Sequence, residues 1–305
     1  MKIIDSLTTQ ASSIAAVRRQ IHANPELCFK EVQTADLVAA KLTEWGIPIH
    51  RGMGTTGVVG IVKNGTSSRA IGLRADMDAL PMQEFNTFTH ASKNAGKMHA
   101  CGHDGHVAML LAAAQHFATQ RNFDGTVYLI FQPAEVGGGG ARELIKDGLF
   151  EKFPMEAVYG MHNWPGMAVG KFAVSPGPVR ASSNEFKIVI HGKGGHGAMP
   201  HVAVDPIVVA SHLVLALQTI RSREIDPNDM AVVSIGAIHA GDAPNVIPET
   251  CELRITIRAR DPGVRELLRE RITAMAHAQA AVHRATAEVE YKWRYPPVMN
   301  DVAAT

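Results

Sequence analysis

Residues 103–131 read HDGHVAMLLAAAQHFATQRNFDGTVYLIF. The apolar helical pattern of the first half predicts a helix over 103–118, and the β-branched and aromatic run that follows predicts a strand over 126–131. On the N-terminal side, helix-like stretches at 14–22 and 32–45 alternate with short β-branched runs at 57–62 and 70–73. On the C-terminal side come a helix over 140–147 and a strand over 157–161. Strands separated by crossover helices imply an α/β domain with a mostly parallel sheet covered on both faces, whose ligand site lies beyond the carboxyl ends of the strands.

The periodicity changes at residues 175–183, SPGPVRASS, which read as a linker. Beyond it the order is strand (186–190), helix (205–220), strand (230–238), strand (250–258), helix (264–282), strand (288–293). That β-α-β-β-α-β order suits a ferredoxin-like α+β module, a four-stranded antiparallel sheet with two helices on one face, inserted into or appended to the first domain as a lid or dimerisation element. The expected division is therefore 1–183, 184–295, and a short stretch at 296–305. In that stretch Asn300 and Asp301 resemble an N-cap and first helical turn, read as a truncated return to the first domain whose C-terminal part is missing.

Composition narrows the function classes. The 305 residues are 46% hydrophobic and 19% charged, enough to bury a full core. Thirty basic and 29 acidic residues are spread along the chain for a net charge of +1, which gives nucleic acid or an anionic membrane no electrostatic footprint and favours small-molecule chemistry. Neither a signal-peptide core nor an apolar run of membrane-spanning length is present, and three scattered cysteines do not make a disulfide framework. A cytoplasmic location is expected. Of the 15 histidines, the clustering says more than the number.

The densest polar cluster is MHACGHDGH at 98–106, where a loop enters the 103–118 helix. Cys101 and His103 are two apart, so their side chains converge on one ion only if the loop curves, which Gly102 permits. Taken alone this reads equally well as a polar helix cap with a buried cysteine. Three more segments point compatible chemistry at the same sheet edge. LRADMDALP at 73–81 ends a strand with two carboxylates, FQPAE at 131–135 ends another with Glu135, and MHNWP at 161–165 ends a third with His162. A thiolate with imidazoles suits zinc or cobalt ahead of a harder ion, and carboxylate ligands would shift that preference toward manganese.

With these motifs the sequence resembles the aminoacylase and carboxypeptidase G type of metallopeptidase, in the amidohydrolase branch that holds hippurate hydrolases and indole-acetyl-amino-acid hydrolases. The resemblance runs from RRQIHANPEL at 18–27 to YPP at 295–297. It implies a two-metal centre of manganese or zinc ligated by Cys101, His103 and His162, with Cys101 bridging and Asp78 supporting a ligand from behind. It further implies that Glu135 is the general base, taking a proton from water and delivering it to the departing amine. In the second module, GGHGAMPH at 194–201 resembles the lid motif whose histidine, here His196, reaches the partner subunit's active site to donate to the oxyanion. Asn245 and Arg258 match positions that contact a carboxylate or the transition state. A homodimer or higher homo-oligomer through the lid follows.

The expected function is a metal-dependent amidohydrolase cleaving N-acyl amino acids, with an N-acetyl-diaminopimelate-type deacetylase as the alternative within the same scaffold. One departure opens a third reading. Where the family pattern has two consecutive glutamates, this chain has Glu135 followed by Val136, which cannot coordinate a cation. The family's last metal-ligating histidine is expected beyond Thr305. A dimeric binding protein that keeps the fold with impaired catalysis is the reading these gaps would favour.

Overall fold

The computed structural model describes residues 4–305. The chain forms two compact units, the first ending at Lys171 and the second spanning Phe172–Thr305. In the first, helices α1 (Asp5–Ala23) and α2 (Val32–Glu44) precede strands β1 (Ile49–Met53), β2 (Gly57–Asn64) and β3 (Ala70–Asp76). Helix α3 (His103–Gln120), strand β4 (Gly125–Gln132), helices α4 (Gly140–Lys146) and α5 (Leu149–Lys152) and strand β5 (Ala157–Gly160) follow.

The five strands lie in the order β1-β2-β4-β3-β5. β3 pairs in parallel with β4 and β5, whereas β1 with β2 and β2 with β4 are antiparallel. The sheet is therefore mixed, not mostly parallel. The reason is connection length. β1 and β2 are joined by Gly54, Thr55 and Thr56 alone, and three residues permit a hairpin but no crossover. Residues 65–69 turn the chain again, so β3 runs opposite to β2. β4, returning through α3 parallel to β3, must then be antiparallel to β2. The sequence of β1, IHRGM, carries no apolar alternation, which is why it escaped a strand reading.

Both faces are covered, as two-sided burial of β2 and β4 requires. Val38, Leu42, Leu111, Leu129 and Phe131 are fully buried in one cluster, and Val59, Ile130 and Leu144 belong to a second. Leu129, at the middle of β4, has no exposed surface and is packed within the core cluster. Leu129→Ala is expected to cost about 2–5 kcal/mol, read as a fall in the urea midpoint of this unit's unfolding.

The second unit holds β6 (Gly177–Arg180), β7 (Ser183–His191), β8 (Gly195–His196), α6 (Pro206–Thr219), β9 (Ala231–His239), β10 (Val246–Ile247) and β11 (Thr250–Ala259). It ends with α7 (Pro262–Val282), β12 (Thr286–Tyr295) and β13 (Val298–Asn300). Its main sheet has the order β12-β7-β11-β9 with every pairing antiparallel, the ferredoxin-like arrangement read from the sequence. Both helices begin on an aspartate followed by proline. Asp205 Oδ1 accepts from the Ile207 amide at 2.8 Å and Asp261 Oδ1 from that of Val264 at 2.9 Å. Leu213, Leu217, Leu268 and Ile272 on the helices close over Ile188, Leu253 and Ile255 of the sheet.

Two expectations fail here. The stretch at 175–183, read as a linker, contains β6, and the stretch at 296–305, read as a helix start returning to the first domain, contains β13. The two strands pair with each other, so the last residues belong to the second unit. Pro178 and its Ser- and Gly-rich neighbours hide an edge strand, since proline is tolerated only where no ladder donor is needed. Asp301 does cap a turn, accepting from the amides of Ala303 and Ala304 at 2.8 and 3.0 Å. Among the described residues, no helix is long and apolar enough to cross a membrane.

Candidate metal centre

Because β4, β3 and β5 run in parallel, their carboxyl ends reach one edge of the first unit's sheet, where Asp76, Asp78, Glu135 and His162 emerge. α3 delivers His103 to the same edge. Its N-cap, Gly102, has φ +80°, and a Cβ there would fall 2.2 Å from Asn163 Nδ2, so the loop can curl Cys101 back only with glycine at this position. Asp104, in the first turn of α3, accepts from Arg18 Nε and His22 Nδ1 at 3.0 Å each. His22 Nε2 lies 3.2 Å from Glu84 Oε1, and Glu84 Oε2 takes the Ser92 amide, which ties the loop before Cys101 to α1 and α3.

Ligand atoms of Cys101, His103 and His162 lie within 4.8 Å of one another, so the three residues proposed as ligands converge. Cys101 Sγ is 3.4 Å from His162 Nε2, close to the separation of about 3.5 Å that a thiolate and an imidazole take across a tetrahedral ion. His162 Nδ1 donates to the Asn163 carbonyl at 2.6 Å, which turns Nε2 toward the cysteine. His103 Nδ1 is 3.2 Å from Asp78 Oδ1, and its Nε2 is buried with no hydrogen-bond partner. A buried, unpartnered ring nitrogen beside a thiol and a second imidazole is the donor set that a zinc-like ion takes. The residues therefore fit a metal.

Asp78, almost fully buried, also accepts the amides of Glu135 and Val136 at 2.9 Å each. Burial alone would raise its pKa. The hydrogen bonds with His103 and with the two amides outweigh burial and hold the carboxylate below its usual range. Asp78 thus holds His103 and the Glu135 backbone together. Glu135 Oε2 stands 3.9 Å from His103 Nε2. The preceding Ala134 has φ +51°, a strained conformation for a non-glycine residue. Glu31, with no exposed surface, stabilises it: Oε1 accepts the Ala134 amide at 2.9 Å and Oε2 the Thr56 hydroxyl at 2.6 Å. Nothing in the sequence around Glu31 pointed to that role, since a single glutamate before a helix looks like a surface residue.

In the second unit, His196 and Asn245 are brought together. β8 and β10 pair with His196 opposite Val246, and the Gly197 amide donates to the Asn245 carbonyl at 2.8 Å. Arg258 is not joined to them. It sits near the other end of β11, about 27 Å along the strand from Thr250, with Nη1 donating to Thr256 Oγ1 and the Ile257 carbonyl.

The family model described as "Peptidase family M20/M25/M40" matches residues 72–305. The chain belongs to this family. As an M20 protein it is a metal-dependent amidohydrolase, and its relatives are named accordingly. It is 46% identical to the hippurate hydrolase of Campylobacter jejuni over 99% of this chain and 78% of that one. It is 41% identical to the N-acetyl-L-cysteine deacetylase of Bacillus subtilis over 98% of this chain and 72% of that one. A crystal structure from Bacillus subtilis, described as a dinuclear metal binding peptidase of the M20 family, superposes with a TM-score of 0.82 at 36% identity, covering 97% of this chain and 77% of that one.

The M20 site carries a pH signature. Burial works to lower the His103 pKa, but the hydrogen bond to Asp78, the contact with Cys101 and the charges of Asp76 and Asp78 outweigh it and hold the imidazole up at about 10. At neutral pH an ion bound through this imidazole would displace that proton. Apparent zinc affinity is expected to rise at least about tenfold per pH unit between about pH 6 and 8, with at least one proton released on binding, since His103 gives up its proton and a Cys101 thiol must also ionise to bind. Zinc titrations in buffers of different ionisation enthalpy check both.

Proposed function

We propose that the protein hydrolyses the amide bond of an N-acyl amino acid at an ion held by Cys101, His103 and His162, with Glu135 as general base. The observation that carries this is the convergence of the thiol and two imidazoles at one sheet edge with Glu135 Oε2 beside His103. The names of the hippurate hydrolase and N-acetyl-L-cysteine deacetylase relatives support the substrate class, since hippurate and N-acetylcysteine are both N-acyl amino acids.

A divalent ion there, zinc or manganese, supplies Lewis acidity that acidifies water and polarises an amide carbonyl. Glu135 accepts the proton of the attacking water and returns it to the departing nitrogen, so one carboxylate serves both halves of the reaction. Asp78 holds His103 through Nδ1, which leaves Nε2 as the nitrogen that would hold an ion, and fixes the Glu135 backbone by its amide. Val136 follows as the residue that offers no donor where the family pattern has a second glutamate, so a second ion is held weakly here.

His196 and Asn245, paired in the second unit, are proposed as contacts to the oxyanion and the substrate carboxylate, with Arg258 as a separate carboxylate contact. α6 leaves Ile207, Val208 and Leu215 exposed, an apolar stripe that suits a homodimer through this unit. The free thiols of Cys28, Cys101 and Cys251 suit a reducing cytoplasm. Val136 also favours one second reading, a dimeric binding protein with impaired catalysis.

Incubating the protein with hippurate, N-acetyl amino acids and unblocked dipeptides separates these readings. Release of the free amino acid from the N-acyl compounds, with the dipeptides untouched, is the expected result. Cleavage of the dipeptides alone would overturn the substrate class. Binding of N-acyl amino acids without turnover would install the second reading.

A further inference from the structure

Asp76, His103 and His106 are all buried, and donor atoms from the three lie within 4.8 Å of one another. By composition they form a second candidate ion site. The hydrogen bonds assign His106 elsewhere. Its Nδ1 is 2.6 Å from Asp76 Oδ1, while Arg74 Nη1 lies 2.8 Å from the other oxygen, Oδ2. Paired with that guanidinium, Asp76 is the ionised carboxylate, which can only accept, so His106 Nδ1 carries the hydrogen. The Asn163 backbone amide donates to His106 Nε2 at 3.0 Å. Nε2 is therefore the bare nitrogen, and its lone pair is already used. Neither ring nitrogen has anything left for an ion.

We propose that His106 is a positioning residue that bridges Asp76 and the Asn163 amide and thereby locks the turn presenting His162 to Cys101. This rests on the metal reading above for its functional meaning, and on hydrogen bonds alone for its geometry. His162 and Asn163 share the peptide whose N–H His106 holds. The same Asn163 donates from Nδ2 to the Gly102 carbonyl at 3.0 Å, between Cys101 and His103, and accepts from His162 Nδ1 at 2.6 Å. His106 lies one turn beyond His103 on α3, their rings 5.3 Å apart. One helix thus carries a proposed ligand and the clamp that sets the opposing ligand's distance. Arg74 also donates from Nε to Gln132 Oε1 at 2.8 Å, so the clamp is anchored at the carboxyl ends of β3 and β4.

Three substitutions separate clamping from packing and from ligation. His106→Asn keeps a donor toward Asp76 but does not reach Asn163. His106→Gln places an amide oxygen near the Nε2 position. His106→Phe fills the space with no polar atom. Cobalt(II) titration, followed through the thiolate-to-cobalt and d–d bands, reads the site, and hydrogen exchange of the Asn163 amide in metal-free protein reads the clamp. The Asn and Phe variants are expected to lose about 10–100-fold in cobalt affinity and to lose Asn163 protection, while Gln stays within a few-fold of wild type with protection retained.

A Phe variant that binds cobalt as wild type does would reduce His106 to packing and overturn the proposal. Asn163 protection unchanged in all three variants, with the cobalt bands altered, would make His106 a ligand and overturn it too. If wild-type protein takes up no cobalt, the metal reading fails. Asn163 exchange in the Asn variant still decides the clamp, lost protection supporting it and unchanged protection refuting it.

Discussion

Glu135→Gln is expected to lower kcat for an N-acyl amino acid by about 10²–10⁴-fold, the range that a positioned general base contributes, with little change in metal affinity. The separation of the two effects follows from the geometry. Cys101, His103 and His162 converge without help from the Glu135 side chain, whose nearest approach to His103 Nε2 is 3.9 Å. What Asp78 holds is the Glu135 backbone amide, and glutamine keeps that bond. The substitution therefore removes a proton acceptor and leaves the bond between Asp78 and the residue-135 amide standing. Steady-state kinetics beside a zinc titration of the same preparation check it. A metal affinity that falls together with kcat would show Glu135 acting as a ligand, the place that Val136 leaves open.

His103→Ala is expected to remove both metal binding and hydrolysis, with an affinity loss well beyond the roughly 10–100-fold that a supporting residue costs. His103 is fully buried, and its Nε2 has no hydrogen-bond partner. In the alanine variant Asp78 keeps the two amides of Glu135 and Val136 but loses the imidazole. Asp78→Asn is the informative companion. It leaves every proposed ligand in place and weakens the support behind them, since the single accepting oxygen of asparagine cannot serve both carboxylate positions that take His103 and the Glu135 and Val136 amides, so its affinity loss should stay within the 10–100-fold range. Equal losses in the two variants would mean that Asp78 coordinates the ion directly. Competition titrations against a zinc indicator measure both.

Where apolar period and turn residues spoke clearly, the sequence read well. The six elements of the second unit's main sheet and their order were legible because α6 and α7 begin on Asp-Pro and the strands alternate cleanly in burial. β1 was not, since IHRGM pairs through its backbone and through a turn at Gly54 and Thr55 with positive φ, neither of which leaves a pattern in side-chain polarity. That hairpin, with the turn at 65–69 that sets β2 antiparallel to β4, turned an expected mostly parallel sheet into a mixed one. β6 and β13 were missed for the same reason, being four- and three-residue strands that pair with each other and are too short to show an alternation.

At the site, Cys101, His103, His162, Asp78 and Glu135 were legible because each ends a strand or starts a helix at one sheet edge. The residues behind them were less so. His106 and Asp76 lay inside quoted motifs, but which nitrogen faces which partner depends on where α3 sets its first turn against Asn163. Glu31 is separated from Ala134 by 103 residues, and no local pattern connects a buried carboxylate to a strained amide so far along the chain.

The most direct test of the account is hydrolysis of hippurate by protein stripped with a chelator and resupplied with zinc or manganese, with bound metal measured on the same samples. Hydrolysis should vanish on stripping and return in proportion to bound ion, saturating near about one equivalent per protomer, since among the described residues the second converging group, Asp76, His103 and His106, shares His103 and has both ring nitrogens of His106 hydrogen-bonded. Undiminished hydrolysis in stripped protein holding less than about a tenth of an ion per protomer would contradict metal-dependent chemistry at Cys101, His103 and His162.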